Sequence, residues 1–543
     1  MFAIAFLYRF NALLGSLGGF DGDHFIYFVG STGVLRGERP LRDFVDAGLQ
    51  GAWPALTYEL PALAMRLGGE SLRSEALLCV GAIAVSATLL FRSAASLAGP
   101  WPSLVMTILS IAAGTRLYGY HKVLVSSVAV TLLLRYARAP SRRSLSLLAA
   151  WSTVAFLFRH DYLLYVASAT VCLVVTLPGL TIGRRLQRAG AYGALTGILL
   201  AGPVYSIHHF AGLGFYLRSN VESTRHEAER TDLKWPKFES AANPVAFFEN
   251  ETNAVSWLYY VCLLLPLAGI CAAFVTRPEV SGLDAGGTRA VLVTLALYAA
   301  LLNHFLLRGN LAARFGDLGA PIAVLGAWLI GCTPVPKGSR LAWRSAVAVL
   351  AATGFLAVNA AESVWQELAT ARLRVGVAAV GARLMQVATE LGGMPPRREA
   401  TSAERDRSRS AVPNVVDYLR ACSGPNDRIL VLADAPEVTA FAARPFAGGH
   451  PTFRAGFYTL PEDQALTVER LERQSVPIVI TRDDADYQQH VEPVFRRVVA
   501  WVDERYEFSG EVAALTGPPM RVLVRRDMTG SERLGDTGLP CPR

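Results

Sequence analysis

The sequence predicts an α-helical membrane protein that crosses the bilayer about eleven times and ends in a small α/β domain outside the cytoplasm. Of its 543 residues, 52% are apolar, and the mean hydropathy is +0.32. The apolar residues form blocks, several of them near the roughly 20 residues that cross a hydrocarbon core. The predicted spans are about 2–18, 74–98, 101–118, 120–137, 144–158, 161–181, 190–210, 254–276, 289–307, 318–333 and 341–361.

Charge placement in the loops supports this count and orients the chain. With the N-terminus inside and each span reversing direction, the inside loops are short and mostly basic, as the positive-inside rule requires. The basic loops lie near 135–143, 184–188, 277–289 and 337–344. The outer segments 18–73, 211–253 and everything after about 362 mix both signs. We therefore expect a multi-pass protein of a bacterial inner membrane, with a cytoplasmic N-terminus and a periplasmic C-terminal domain.

Composition narrows the possible partners. Much of the net charge of +8 lies in the cytoplasmic loops, so it does not indicate a nucleic-acid partner.

The first span is short and carries Arg9 and Asn11, so an upstream start or a signal peptide is an alternative. Cys422 and Cys541 would face an oxidising compartment, where they can pair, although the sequence alone does not decide this. No cysteine spacing indicates a zinc site.

The chain after the spans divides into a charged linker at 362–412, a globular domain at 413–527 and a tail at 528–543. Within the domain, strand patterns alternate with helix patterns, which predicts a small α/β fold. Buried strands are predicted at 428–434 and 477–481, and an edge-type strand at 520–526. The helices are predicted at about 413–422, 436–443, 462–474 and 493–500. No glycine fingerprint follows the first strand, so nucleotide binding is not indicated.

Asp21 and Asp23 are the first candidate site residues. They begin the large outer segment directly after the first span, where the headgroups of bound lipids lie. A carboxylate there can accept the proton of an attacking hydroxyl, or hold a divalent cation such as Mg²⁺ or Mn²⁺ against a phosphate. The alternative is a solvated loop with acidic residues.

Two helical patterns follow in the same outer segment, each too short or too polar to span. They predict amphipathic helices that lie in the membrane interface and wall a groove for a lipid headgroup; ordinary packing helices are the alternative. The apolar positions are Phe25, Phe28, Val29, Thr32 and Leu35 in the first pattern, and Leu56, Leu60, Leu63 and Leu67 in the second.

The topology puts further ionisable residues on the same outer face, at the ends of spans. Such residues are costly at membrane depth and are usually paired or functional. Arg159 and Asp161 can simply pair with each other, which is the alternative to a function. Acids and bases gathered on one side are what a phosphate-bearing lipid substrate needs. The polar residues are His121, Lys122, Arg159, His160, Asp161, His208, His209, Arg308, Asn310, Arg314 and Asp317.

The start of the outer segment resembles the first outer loop of GT-C glycosyltransferases, in particular bacterial members related to protein O-mannosyltransferases and the aminoarabinose transferase of lipid A. The likeness lies in Asp21-Gly22-Asp23-His24, Tyr27 and the run LRGERPLRDF at 35–44. The family carries an acidic pair there, followed by a Gly-Glu-x-Pro-Tyr-x-Asp-Phe type segment. Here Gly22 separates the two acids and Leu41 replaces the tyrosine, so the pattern leaves open which Asp is the base.

A second motif, Phe158-Arg159-His160-Asp161-Tyr162, is similar to an arginine-aspartate motif of some bacterial relatives. Together the motifs imply a GT-C-like transmembrane domain over 1–361. The resemblance also implies a reaction in which a sugar moves from a polyprenyl phosphate to a hydroxyl of a lipid, glycan or protein. The partners are then this donor, the acceptor and membrane lipids.

The resemblance assigns roles to individual residues. Asp21 or Asp23 would be the general base, and Asp43 a second carboxylate that orients the acceptor or holds a metal together with them. The phosphate of the donor would be bound by Lys122, Arg159, His160, Asp161 and Arg314. Since the outer domains of the family are thought to help bind acceptors, the acceptor candidates are Arg444, His450 and Arg454; a loop rich in turn formers is the alternative there.

Two other functions compete with the transferase. A polytopic transporter or lipid flippase would carry ionisable or Gly/Pro-broken sites near the bilayer midplane, often in repeated halves. In this sequence the polar groups gather at one face, and no internal repeat is visible. A GT-C-like scaffold that has lost catalysis and serves assembly is the third possibility, because the acidic motif is altered. The sequence names neither the sugar nor the acceptor.

Overall fold

The computed structural model describes residues 1–12, 22–45, 55–113, 116–230, 235–243, 246–247, 250–275, 282–303, 316–332, 385, 389, 414–515, 517–528, 532–534 and 538–542. The chain forms two compact units. The first consists of Met1–Gly19, Leu77–Tyr205 and Ala228–Leu384, and the second of Phe20–Ala76, Ser206–Glu227 and Met385–Arg543.

The first unit is a bundle of apolar helices. Because the hydrophobic blocks are long and lack glycine or proline breaks in most places, they form continuous helices that satisfy their own backbone hydrogen bonds. The helices are α1 (Phe2–Ala12), α4 (Leu72–Ala98), α5 (Pro100–Ala113), α6 (Tyr120–Arg138), α7 (Arg142–Phe158), α8 (His160–Thr176), α9 (Ile182–Phe210), α11 (Glu251–Val275), α12 (Ala285–Leu302) and α13 (Gly319–Cys332). The first residues of α4 and the last of α9 belong to the second unit.

Within the described residues, five helices are long and apolar enough to cross a membrane. They begin at Leu72, Leu117, Ile182, Val255 and Ala285. Helices also lie at five further predicted spans, the shortest being α1. The prediction of a polytopic α-helical membrane protein is therefore confirmed, whereas the count of eleven spans stays a prediction. The last predicted span, 341–361, lies outside the described residues.

The second unit combines the first outer segment with the C-terminal domain. Its helices are α2 (Gly22–Leu35), α3 (Leu56–Gly68), α10 (Leu213–Arg230, up to Glu227), α14 (Val415–Cys422), α15 (Pro436–Ala442), α16 (Pro461–Glu472), α17 (Ala485–His490) and α18 (Arg496–Arg505). Helix α2 packs against both α3 and α15. Gly30 allows the close approach to α3, because a Cβ there would lie 2.5 Å from the ring of Tyr58.

Four strands form one small mixed sheet in this unit. They are β1 (Ile429–Leu432), β2 (Ile478–Thr481), β3 (Tyr506–Val512) and β4 (Met520–Arg525), in the order β1-β2-β4-β3. The pairing of β1 with β2 is parallel and the other two pairings are antiparallel. The predicted small C-terminal α/β fold is confirmed, with three of its strands at the predicted positions. The strand at 520–526, predicted as an edge-type strand, is instead β4 and lies between β2 and β3, because β3 pairs along its other side. The sequence did not indicate β3, a polar edge strand that follows α18 without a turn.

Helix α2 differs from the interfacial helix that its spacing predicts. Ten consecutive residues, His24 to Gly33, are buried, so the helix lies inside the second unit. The reason is that its apolar residues occupy every face of the helix rather than one stripe. The hydroxyl groups of Ser31 and Thr32 donate to the backbone carbonyl oxygens of Tyr27 and Val29, which satisfies them without water.

Cys422 and Cys541 form a disulfide that joins the end of α14 to the C-terminal residues. The sequence left this pairing open. The hydroxyl of Tyr418, one turn earlier in α14, donates to the carbonyl oxygen of Pro540 at 2.6 Å. Two contacts of different kinds therefore hold the end of the chain against the same helix.

Candidate active site

Asp23 is held by an arginine that lies 431 residues later in the chain. It is the second residue of α2, where the positive end of the helix dipole favours a carboxylate. Both Nη atoms of Arg454 donate to Asp23 Oδ1, each at 3.1 Å. One predicted catalytic residue and one predicted acceptor residue thus meet within the second unit.

Arg454 also forms an ion pair with a second carboxylate, that of Asp434. Its Nε and Nη2 donate to the two Asp434 oxygens at 2.9 and 3.0 Å, and Thr452 Oγ1 donates to the same side chain. Burial by itself would lower the pKa of Arg454, but the charges of Asp434 and Asp23 outweigh it and raise that pKa. The guanidinium therefore stays charged and holds two carboxylates by charge-assisted hydrogen bonds.

Asp43 lies in a tight loop of the same unit. Its Oδ2 accepts from the backbone N–H of Arg39 at 2.8 Å, and its Oδ1 accepts from Arg42 Nε at 2.8 Å. Burial raises the pKa of this carboxyl, but the hydrogen bonds from Arg42 and Arg39 and the charge of Arg470 more than offset it, so the pKa is lowered. Leu41, which precedes this pair, has a φ of +69° and so adopts the left-handed conformation that side chains disfavour.

The surroundings of Asp23 and Asp43 do not fit a divalent metal. Each carboxylate is contacted by a guanidinium, whose positive charge takes the place that a cation would need. Among the residues that the structure describes, no group of three or more His, Cys, Asp or Glu side chains could hold a metal ion. We therefore derive no step through Mg²⁺ or Mn²⁺.

The other two acceptor candidates make internal contacts. Arg444 donates to the carbonyl oxygens of Arg420 and Ser423, and so caps the C-terminal end of α14. His450 is buried and lies 2.8 Å from Thr467 Oγ1. Burial lowers the pKa of His450 to about 3, which keeps the ring neutral.

Lys122 belongs to the first unit and pairs with Asp317, just before α13. Both side chains are buried, and the residues are 195 positions apart. The neighbouring His121 is buried as well, with its ring stacked on that of Phe158 at 5.8 Å. A buried ion pair of this kind loses much more free energy when one partner is removed than when both are replaced by apolar groups.

Arg159 and Asp161 pair with each other, also within the first unit. The guanidinium donates from Nε at 3.1 Å and from Nη2 at 2.8 Å, in the bidentate geometry that arginine favours. Arg159 is the N-cap residue of α8, and the half-buried His160 is its first residue. The structure describes neither Asp21 nor Arg314, so both stay predictions.

Sequence reasoning missed Asp434 and the pairing of Lys122 with Asp317. Asp434 lies two residues after the end of β1, at the carboxyl end of a parallel strand, which is where functional side chains often lie. That position was a usable signal. No spacing rule links Lys122 to Asp317, because their contact depends on how distant helices pack.

A comparison with known structures identifies a protein with a similar fold. The crystal structure of ArnT from Cupriavidus metallidurans in the apo state aligns with 96% of this chain and 96% of its own, at a TM-score of 0.51 and 10% sequence identity. The chain has the fold of that structure. This confirms, at the level of fold, the resemblance that the motifs of the first outer segment indicate.

Two structures of an oligosaccharyltransferase from Archaeoglobus fulgidus align less well. The complex with Zn and sulfate has a TM-score of 0.40 at 13% identity, over 94% of this chain and 71% of that one. The apo form has a TM-score of 0.39 at 11% identity, over 96% and 74%. No protein-family model and no curated protein sequence matches the chain.

Proposed function

We propose that this protein is a membrane glycosyltransferase. It moves a sugar from a polyprenyl-phosphate donor to a hydroxyl of a lipid, glycan or protein acceptor at the outer face of a bacterial inner membrane. The observation that carries the proposal is the half-buried Asp23, held by Arg454 at the start of α2 in a chain with the GT-C fold.

The chemistry follows from the position of that carboxylate. The acceptor oxygen attacks the anomeric carbon in line, its proton passes to the Asp23 carboxylate, and the bond from the anomeric carbon to the phosphate oxygen breaks. The lipid phosphate leaves with the electron pair. Base assistance of this kind typically contributes about 10²–10⁴-fold in rate. Asp21 stays the alternative base, because the acidic motif contains both.

Other positively charged residues would stabilise the leaving lipid phosphate. Lys122, Arg159, His160 and Arg314 remain the candidates for the donor phosphate, whose negative charge grows as the bond breaks. Lys122 and Arg159 are already paired with Asp317 and Asp161. A phosphate would therefore have to share or displace a carboxylate partner. Asp161 enters the proposal as the residue that orients Arg159.

Two features support an extracytoplasmic location for the second unit. The inside loops of the predicted topology are basic, as the positive-inside rule requires. The disulfide between Cys422 and Cys541 is typical of oxidising compartments such as the periplasm. A reporter that is active only in the periplasm, fused after residue 527, should work, whereas a cytoplasmic reporter there should be silent. The reverse result would contradict this location.

Transfer itself tests the function. Purified protein in lipid nanodiscs is incubated with radiolabelled polyprenyl-phosphate sugars and a membrane lipid extract, and the label is followed into the acceptor fraction. Asp23→Asn should lose on the order of 10²-fold or more in rate, because the amide keeps the shape of the side chain and cannot accept the proton.

Asp434→Asn is the matched control, since Asp434 contacts the same guanidinium but is not the proposed base. We expect it to keep transfer within about tenfold. Asp21→Asn is measured in parallel. If Asp21→Asn and Asp23→Asn both turn over like the native protein, neither residue is the base. If the native protein moves no label from any donor, the transferase proposal fails in favour of an assembly protein or a transporter.

A further inference from the structure

A cleft of about 630 Å³ lies in the second unit, between the loop that contains Asp43 and the C-terminal end of α16. This volume is within the roughly 300–1,000 Å³ of typical ligand sites and is far larger than a single phosphate needs. We call it the arginine cleft, because five arginines line it. They are Arg36, Arg42, Arg428, Arg470 and Arg473.

Positive charge exceeds negative charge in the arginine cleft. Three carboxylates share the lining with the five arginines, namely Glu38, Asp43 and Glu469. Each carboxylate is paired with one of the arginines: Glu38 with Arg428, Asp43 with Arg42, and Glu469 with Arg473. Arg36 pairs with Glu70, which lies outside the lining, so the remaining excess of one positive charge falls on Arg470.

Arg470 is the arginine of the cleft that carries this charge. It is half-buried, and its Nη2 donates to the carbonyl oxygen of Arg42 at 2.7 Å. Burial lowers the pKa of Arg470, and the raising effect of Asp43, Glu469 and Glu38 does not make up for it. The carboxylates near Arg470 therefore offset only part of the cost of burying its charge.

The backbone at Gly449 lies close to the Arg470 side chain. A Cβ on Gly449 would lie 2.6 Å from Arg470 Nη1 and 2.7 Å from the carbonyl oxygen of Asp43. Gly449 has a φ of +77° and its carbonyl oxygen accepts from the backbone N–H of Val45 at 2.9 Å. The backbone thus approaches both walls of the arginine cleft at a point where only glycine fits.

We propose that the arginine cleft binds the phosphorylated sugar headgroup of the acceptor. Guanidinium groups bind phosphate through two parallel hydrogen bonds, and Arg470 supplies the positive charge that is not paired with a carboxylate of the lining. Asn426, Gln474 and Glu469 line the rest of the cleft and offer donors and acceptors to sugar hydroxyls. Only the ligand's role as acceptor rests on the proposed transferase function; binding itself does not require transfer.

Binding is measured on the full-length protein in nanodiscs by isothermal titration calorimetry. Glucose 1-phosphate is the probe for a water-soluble source, and phosphatidylinositol 4-phosphate in the nanodisc is the probe for a lipid-borne source. We expect saturable binding of at least one of them, weaker binding of inorganic phosphate by about tenfold or more, and none of glucose. Binding should weaken as salt rises, because it depends on charge.

Arg470→Gln should weaken binding by about tenfold or more, the usual effect of losing one charge-assisted hydrogen bond. Because Arg470 also contacts the backbone, the exposed Arg473→Gln is tested as a second cleft variant that keeps the fold. Arg525→Gln is the matched control, since Arg525 pairs with Asp527 outside the cleft. It should bind like the native protein, and gel filtration checks that every variant folds.

The outcomes separate this inference from the proposed function. Tight binding of the lipid probe alone would assign a lipid-borne headgroup, and tight binding of glucose 1-phosphate would assign a free sugar phosphate; both support the arginine cleft. Failure of both probes, or equal binding by both cleft variants and the native protein, overturns it even if transfer activity is present. Binding without transfer would instead overturn the transferase proposal alone.

Discussion

The charged groups of the two units are arranged in opposite ways. In the first unit, Lys122 and Asp317 are a one-to-one pair with side chains only 7% and 2% exposed. In the second unit, the Arg454 side chain is 23% exposed and serves two carboxylates, while the nearby arginine cleft carries more cations than anions. In these examples the matched pair is deeply buried, and the unequal groups of charges contact water.

This difference follows from the cost of burying charge. Taking an ion out of water costs several kcal/mol, so a charge inside an apolar bundle persists only with a close partner. A charge at an aqueous surface stays hydrated, so it needs no partner in the protein and can bind a ligand. We therefore expect the pairs of the first unit to stabilise the fold, whatever their role with the donor phosphate, and the excess charge of the second unit to be available for substrate.

The largest expected effect comes from breaking the buried pair. Lys122→Met should destabilise the protein by about 3–5 kcal/mol, because it leaves Asp317 buried without its cation. Adding Asp317→Leu should restore most of that loss. Thermal unfolding in detergent measures both. If the double variant is stable but inactive in transfer, Lys122 also binds the donor phosphate; if Lys122→Met alone is as stable as the native protein, the pair is not structural.

The disulfide should matter only to the second unit. Cys541→Ser should lower the stability of the C-terminal domain by about 3 kcal/mol, since the cross-link closes a loop with a sequence separation of 119. Hydrogen–deuterium exchange read by mass spectrometry should show faster exchange in β1 and β2 and no change in α6 or α12. Equal loosening of both regions would argue against two separate units.

A pH effect is expected from His450. Its folded pKa of about 3 is below the unfolded value of about 6.5, so the unfolded chain binds the proton first. The stabilisation is complete above about pH 6.5 and is lost as the pH falls toward 3, by about 2 kcal/mol at pH 5. Hydrogen exchange in the C-terminal domain should speed up accordingly. His450→Gln should remove that slope; a slope that persists would have to come from other groups.

The smallest effect should come from Arg454. Its ion pairs with Asp23 and Asp434 are half-exposed, so Arg454→Gln should cost only about 1 kcal/mol of stability. The matched control, Arg525→Gln, should cost close to nothing. The contrast between the units would fail if Arg454→Gln were as damaging as Lys122→Met.

Local patterns in the sequence predicted most of the fold. Hydropathy located helices at ten of the eleven predicted spans. Buried strand patterns located β1 and β2, and an edge-type pattern located β4. The polar strand β3 was missed because an edge strand needs no apolar face. Helix α2 was placed in the interface because its apolar positions recur at helical spacing, although the remaining positions are apolar as well.

The candidate site was less accessible to such reasoning. Acidic residues after the first span drew attention to Asp23, and turn formers drew attention to Arg454, but nothing local connects two residues 431 positions apart. Only Arg159 and Asp161, two positions apart, could be paired from sequence. The sequence indicated which residues could take part in catalysis or binding. Their contact partners could be identified only from the tertiary structure.

The disulfide between Cys422 and Cys541 determines what happens when a protease cuts the C-terminal domain. Everything from the end of α14 through β4 lies between these two cysteines, so the C-terminal domain is a covalent ring. A protease that cuts one surface loop opens the ring without releasing a fragment, and the pieces separate only after reduction. On a non-reducing gel, a chain nicked once between residues 423 and 540 should therefore still migrate near its full mass.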